Sequence, residues 1–382
     1  MTPNRRGPWR VLQILNGVPW QKDTGGGILY AFDLGRHLVA RGHHVDFLVA
    51  TERENERRLD WADVSYSFDT DKRRSPISLY RQARSRLREY DVIHTHSKDG
   101  ALVAFRLRFA RKRPALVATV HNPSPTKRSL FRQSVRRRWE RLAARCSDVV
   151  CVPSEYSKIA VSEAFGLRVD PIRVIPPGVP DAFLAAEAPR REPLEGRPVR
   201  LVSIGRICGQ KGFDVLLEAL ASVRRTRDAR LEIIGDGPAA EVESVKQQMR
   251  RLGLEDAVRL AGYLPRDEIL ERLWQADLFV LPSRAESFGM VYAEAQAAGL
   301  PVIGTAVGGV PEVIADGVSG RIVSPGDVSA VAEAIEDLLS DPKRLAEMGE
   351  AAMQRARGRF SWERSVDRTE EAYEAASGRA SR

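Results

Sequence analysis

The sequence predicts an α/β protein made of two Rossmann-like domains, each a parallel sheet covered by helices, facing each other across a cleft. Three observations lead there. The chain has 382 residues, more than one hydrophobic core usually organises. Short apolar strands alternate with helical stretches along its length, the pattern of parallel α/β layers. That alternation is interrupted once, by the polar, Pro- and Arg-containing stretch 185–198 (AAEAPRREPLEGRP), and then begins again.

In the first series the strand candidates are 11–15, 45–50, 91–95, 115–120, 149–153 and 172–176. A helix is expected over 28–41, where Ile28, Phe32, Leu34 and Leu38 form one stripe. After the linker the candidates are 199–205, 231–235, 258–262, 278–282, 301–305 and 320–323. The expected division is a first domain over 1–184, the linker 185–198, and a second domain over 199–359. A closing helix over 360–382 either caps the second domain or crosses back to the first. Ligands of open parallel sheets bind at the carboxyl ends of the strands, so functional residues should gather there.

A hydrophobic content of 43% beside 29% charged residues is that of a soluble globular chain. No apolar run approaches the ~20 residues needed to span a bilayer. The N-terminus, MTPNRRGPWR, has neither a long apolar core nor a cleavage site, so a cytoplasmic location is expected. Cys146, Cys151 and Cys208 form no CxxC pair and read as reduced thiols in or near the core. The net charge of +9 calls for an anionic partner: nucleic acid, an anionic membrane or a phosphorylated substrate.

Two segments carry the chemistry. In 203–212 (SIGRICGQKG) a strand ends at Gly205, and Arg206 and Lys211 follow before a helix near Phe213. Glycines admit close backbone approach, and an Arg with a Lys can neutralise a diphosphate from two sides; the alternative is a pair of ordinary surface cations. In 282–296 (PSRAESFGMVYAEAQ) a Ser-Phe-Gly turn precedes a helix, so the amides of Phe288, Gly289 and Met290 form an anion site. Glu286 precedes the turn and Glu294 is expected two turns into the helix. The plainer alternative makes Glu286 a helix-dipole partner and Glu294 a solvated residue. A retaining glycosidase holds its two carboxylates about 5–5.5 Å apart. Eight residues of helix span roughly 12 Å, so the pair is expected to bind two parts of one elongated ligand.

The chain resembles a family 4 retaining glycosyltransferase of the GT-B fold over nearly its whole length. The resemblance rests on Gly25-Gly26-Gly27, DVIHTH at 91–96, TVHN at 119–122, VIPPGV at 174–179 and GRICGQKG at 205–212. It continues through IIGDGP at 233–238, GYLP at 262–265, the two glutamates, GGVPEVI at 308–314 and FSWE at 360–363. It implies a nucleotide-sugar donor, UDP- or GDP-linked, transfer of a hexose-type unit with retention, and no metal or other cofactor. By resemblance, Arg206 and Lys211 grip the diphosphate near Gly205, and Glu286 binds donor-sugar hydroxyls. Phe288, Gly289 and Met290 hold sugar and diphosphate, Glu294 the ribose, and backbone near Leu264 the base. Gly26 and Gly27 approach the diphosphate from the other domain, and His121 contacts the donor sugar. The acceptor is a sugar, a lipid-linked molecule or a small molecule, in cell-envelope glycan, glycolipid or glycosylated-metabolite synthesis.

Other signals weigh less. Asp69-Thr70-Asp71 has a DxD form but lies in a polar stretch and reads as a loop. His94 and His96 alternate at a strand end without a third ligand and read as ordinary strand-end residues. Segment 127–145 carries eight Lys or Arg against one Glu, with Phe131, Val135, Trp139 and Leu142 on one face. It reads either as a surface helix packed on the sheet or as a peripheral contact with an anionic membrane at its inner face. The stretch 51–77 is poorly patterned and is expected to shape the acceptor site. A nucleotide-sugar epimerase of the same fold and a non-enzymatic basic binding protein are the competing readings. No nucleic-acid motif is present, so nucleic acid is not an expected partner.

Overall fold

Strands buried on both faces need helices on both sides, and the burial patterns show such strands in the middle of both sheets. Arg10–Leu15 (β1) is buried after its first residue, and every residue of Val149–Val152 and Val302–Thr305 is buried. The structure is a computed structural model. It describes residues 7–19, 26–51, 57–68, 80–81, 84–96, 100–110, 112–121, 130–169, 171–185 and 193–380, with side chains outside the description at 65–68 and 130–136.

The chain divides into two units. The first comprises Met1–Gly178 and Trp362–Arg382, the second Val179–Ser361. The first holds a seven-stranded sheet in the order β3-β2-β1-β4-β5-β6-β7. These are His44–Thr51 (β2), Asp63–Phe68 (β3), Val92–Thr95 (β4), Ala115–Thr119 (β5), Val149–Val152 (β6) and Ile172–Val174 (β7), with β1. The second holds a six-stranded sheet in the order β10-β9-β8-β11-β12-β13. Its strands are Val199–Ile204 (β8), Ala229–Ile234 (β9), Val258–Gly262 (β10), Leu278–Val280 (β11), Val302–Thr305 (β12) and Gly320–Val323 (β13). All pairings within both sheets are parallel.

All twelve expected strands are present. The thirteenth, β3, lies inside the stretch that the sequence leaves unpatterned, and it pairs with β2 at the sheet edge. Three of its six residues (Asp63, Ser65, Ser67) are polar, so it lacks the apolar run of a central strand. In each unit the strand order reverses beside the first strand: between β1 and β4, and between β8 and β11. These are the two points where a parallel sheet opens a crevice for a ligand.

The amino ends of both sheets carry the same device. Asp148, just before β6, accepts from Arg113 at 2.6 and 2.7 Å and from the Leu116 amide at 2.9 Å. Asp277, just before β11, accepts from Arg197 at 2.8 and 2.6 Å and from the Arg200 amide at 2.8 Å. Both carboxylates are buried, and the bidentate fork together with the amide satisfies their charge.

The helix Trp362–Ala380 packs on β5 and β6 of the first unit. Trp362 is fully buried, and a Cβ at Gly178 would stand 2.5 Å from its ring. Cys146 and Cys151 are buried and Cys208 is half-buried; all three are free thiols. No helix among the described residues is long and apolar enough to cross a membrane.

Candidate functional site

Lys211 and Glu286 are 75 residues apart, and the fold joins them. Because β8 lies next to β11, the loop after one strand meets the loop after the other. Lys211 Nζ forms a short ion pair with Glu286 Oε1, and Ser283 Oγ donates to the same oxygen at 3.2 Å. Both charged side chains are largely screened from solvent, Lys211 at 20% and Glu286 at 12% exposure.

The backbone around the pair leaves little room for alternatives. Gly212 has φ +69°, and a Cβ there would lie 2.0 Å from the Pro282 carbonyl oxygen. Gly308 has φ +55°, and its Cβ would fall 1.6 Å from the Glu286 carbonyl oxygen. The Gly309 amide donates to that oxygen at 3.3 Å. The Gly308-Gly309 step is therefore the floor under Glu286, a role its place in the sequence gives no hint of.

Beyond Glu286, Gly289 (φ +97°) caps the helix Met290–Ala297. Phe288, Gly289 and Met290 sit where a helix start offers unshared amides, and none of these amides has a backbone carbonyl partner among the described residues. The helix begins at Met290, so Glu294 lies just over one turn into it, not two. The residues between Glu286 and Met290 form a turn, so the 12 Å helical spacing expected from the sequence does not apply to the pair. Glu294 is half-buried. Tyr292, fully buried in the same helix, donates to the Leu281 carbonyl at 2.5 Å, and burial, then the nearby Glu286 charge, pushes its pKa up.

Arg206 is exposed one residue beyond Gly205, whose amide donates to the Ile234 carbonyl at 2.9 Å. Leu264 is half-buried beside the end of β10 and packs on the second unit's core. Arg284 and Asp214 go unremarked in the sequence, yet they tie the two loops together. The Arg284 guanidinium donates to Asp214 at 2.6 and 2.6 Å and to the Gly209 carbonyl at 3.0 Å. That contact holds the Asp214 carboxyl below the usual carboxylate range.

The first unit gathers a different set at its own reversal point. A cavity of about 300 Å³ opens at the carboxyl ends of β1, β4 and β5, lined by Asn16, Gly26, Gly27, His96, His121 and Glu140 among others. Gly26 and Gly27 are the first residues of the helix Gly26–Ala40, not part of a preceding loop, while Gly25 lies outside the described residues. A Cβ at Gly27 would stand 2.8 Å from the His121 ring, so the helix start and the histidine fit only with glycine there.

His94 and His96 do more than end a strand: with His121 they form one cluster. His96 Nδ1 lies 3.2 Å from His121 Nε2, and His94 lies 2.7 Å from Thr119 Oγ1 and 2.9 Å from the Tyr373 hydroxyl. Burial lowers all three below the usual imidazole value, His94 to about 3, His121 to about 4, and His96 well down. These rings are therefore neutral near pH 7 and act as hydrogen-bonding groups. No group of three or more His, Cys, Asp or Glu among the described residues is arranged to hold a metal.

The basic segment forms the helix Leu130–Cys146. Arg137, Arg138, Arg141 and Arg145 are exposed, Trp139 and Leu142 half-buried, and Ala143 and Ala144 buried. Phe131 and Val135 fall where side chains are not described, and Asp69-Thr70-Asp71 and Asn122 lie outside the described residues.

Comparison with known proteins places this arrangement. The family model for glycosyl transferases group 1 matches residues 186–355, and that for glycosyltransferase family 4 matches 24–183. The chain is 30% identical to a D-inositol 3-phosphate glycosyltransferase of Corynebacterium aurimucosum, over 93% of this chain and 92% of that protein. It is 35% identical to a GDP-mannose-dependent α-(1-6)-phosphatidylinositol monomannoside mannosyltransferase of Mycolicibacterium smegmatis, over 56% of this chain and 59% of that protein. Among solved structures it resembles a sucrose-phosphate synthase of Thermosynechococcus elongatus (TM-score 0.80, 21% identity, 96% of this chain and 98% of that one). It also resembles the Anabaena HepE protein in complex with UDP-glucose (TM-score 0.78, 23% identity, 94% of this chain and 98% of that one). The two-sheet fold with its paired crevice residues and these matches over both halves lead to one conclusion: the chain belongs to glycosyltransferase family 4.

Proposed function

We propose that the protein transfers a hexose-type sugar from a UDP- or GDP-sugar to an acceptor hydroxyl, with retention of configuration and without a metal. The observation that carries this is the Lys211–Glu286 pair beside the start of the helix Met290–Ala297. Lys211 with Arg206 supplies positive charge for a leaving diphosphate, and the amides of Phe288 to Met290 share that load. Glu286 offers a carboxylate to the sugar hydroxyls, Glu294 binds the ribose, and backbone near Leu264 meets the base. Gly26, Gly27 and His121 line the first unit's own cavity, where donor-sugar contact is proposed for His121 as a neutral hydrogen-bonding group.

Fixed positive charge assists departure of the diphosphate, and the family resemblance is what favours front-face attack through an oxocarbenium-like transition state, with the departing phosphate taking the acceptor's proton. The related proteins act, by their names, on inositol phosphates and phosphatidylinositol mannosides. A net charge of +9 suits an anionic acceptor of that kind, free or at a membrane surface. The expected site of action is the cytoplasm or the inner face of the membrane.

A thermal-shift screen of UDP, GDP and their sugars should show stabilisation by one nucleotide series. Transfer with that donor, followed by NMR of the product's anomeric proton, should show the donor's configuration. An inverted product, or full activity in both Lys211→Ala and Glu286→Ala, would remove the reading.

A further inference from the structure

We infer that Arg284 is a positioning residue, anchored on Asp214, that shapes the Gly209–Lys211 turn so that Lys211 is delivered to the donor phosphates. The inference rests on the donor site proposed above and concerns a residue outside it.

The clamp acts on the loop after β8. Residues 205–212 contain Gly205, Gly209 and Gly212, a composition with much backbone freedom to lose. Its near end is fixed by the Gly205 and Ile207 amides, which donate to Ile234 and Asp236 at 2.9 and 2.9 Å. Its far end carries Lys211, whose amide closes a turn on Cys208 at 3.0 Å. Between these points the turn is held from outside itself, by Arg284.

Arg284 makes four hydrogen bonds, two to the turn and two to its anchor, Asp214. Its amide donates to the Gln210 carbonyl at 2.7 Å. One guanidinium nitrogen donates to the Gly209 carbonyl at 3.0 Å, and both donate to the Asp214 carboxylate at 2.6 and 2.6 Å. Asp214 sits in the first turn of the helix Phe213–Val223, where a carboxylate is favoured. An exposed ion pair contributes little by itself. This one is bidentate and extends to a backbone carbonyl, a pattern that the planar fork of arginine satisfies and a lysine ammonium does not.

The neighbours of Arg284 show what the clamp is for. Ser283 and Glu286, on either side of it, both bond within the Lys211 cluster. One short segment therefore grips the loop twice: Arg284 fixes its backbone, and Glu286 receives the lysine that this backbone presents.

The test uses the full chain and isothermal calorimetry with UDP and GDP. Arg284→Ala should bind the preferred nucleotide about tenfold more weakly, and Arg284→Lys should recover only part of that loss. Asp214→Asn, which keeps the side-chain shape, should weaken binding in the same direction and serves if Arg284→Ala does not fold. The Lys211→Ala/Arg284→Ala double variant should bind no worse than Lys211→Ala alone, because Arg284 acts through Lys211. Breaking the exposed Arg250–Glu243 pair with Arg250→Ala should leave affinity unchanged. Wild-type affinity in Arg284→Ala, or losses that multiply in the double variant, would overturn the inference while leaving the donor site standing. Failure of the wild-type chain to bind either nucleotide would remove both.

Discussion

Asp148 and Asp277 occupy matching places at the amino ends of the two sheets, each forked onto an arginine and each accepting one strand amide. At the carboxyl ends the likeness stops. The second unit gathers a lysine, two glutamates and a helix start around a charged crevice. The first gathers three neutral imidazoles, two tyrosines and a cavity of about 300 Å³. One fold thus presents a surface suited to phosphate charge in one unit and a surface suited to hydroxyl groups in the other. Strand order makes the crevice in both cases, and the loops alone decide what it binds.

The sharpest way to break this contrast is to remove the charge. Lys211→Ala should lower kcat by about 10²–10³-fold with the thermal midpoint nearly unchanged. A loss under tenfold, measured with the donor found in the thermal-shift screen, would mean that the second unit's crevice does not depend on its cation.

Next comes the likeness at the amino ends. Asp148→Ala and Asp277→Ala each remove a buried carboxylate and leave a largely screened guanidinium unpaired, and each should cost about 3–5 kcal/mol in urea unfolding. The two costs should agree, and turnover per folded molecule should persist. A large difference between them would show that the devices match in shape but not in energy.

A third outcome separates the units by pH. All six histidines, His37, His43, His44, His94, His96 and His121, lie in the first unit. His94 has its folded pKa lowered to about 3, so between that value and the unfolded value near 6.5 the unfolded chain binds the extra proton. Stability is therefore full above about pH 6.5 and falls on acidification, by about 2 kcal/mol for this group between pH 7 and 5. Hydrogen exchange, corrected for intrinsic rates, should show the first unit loosening over that range while the second holds. His94→Gln should flatten the slope.

The smallest expected effect is none: EDTA should leave transfer unchanged if, as proposed, Arg206 and Lys211 serve the leaving group. Loss of activity on chelation, restored by a divalent cation, would overturn the metal-free reading.

The elements that carry apolar runs were legible in the sequence, and those that depend on a neighbour were not. Strands such as Leu278–Val280 announce themselves because both faces are buried. β3 does not, since an edge strand alternates polar residues and gains its identity from β2. Within the second unit, Lys211 and Glu286 stand out because each follows a strand and sits beside glycines. Their meeting depends on β8 lying next to β11, which no local pattern encodes. The histidine cluster was hidden for the same reason: His94 and His96 find His121 only because β4 lies beside β5. Arg284 looked like any loop arginine, because two of its four bonds cross from the β11 loop to the loop after β8 and the other two reach the helix that follows that loop. With the helix starting at Met290, after the Ser-Phe-Gly turn, Glu294 falls four residues in, one turn short of the expected place.

The paired aspartates have a consequence for how such a protein can change. Anchorage lies at one end of each sheet and ligand choice at the other, so loops at the carboxyl ends can be rewritten without loosening the frame beneath them. New acceptors or donors could then be acquired by substitution in a handful of loop positions, while the forked arginines keep each variant folded long enough for selection to act on it.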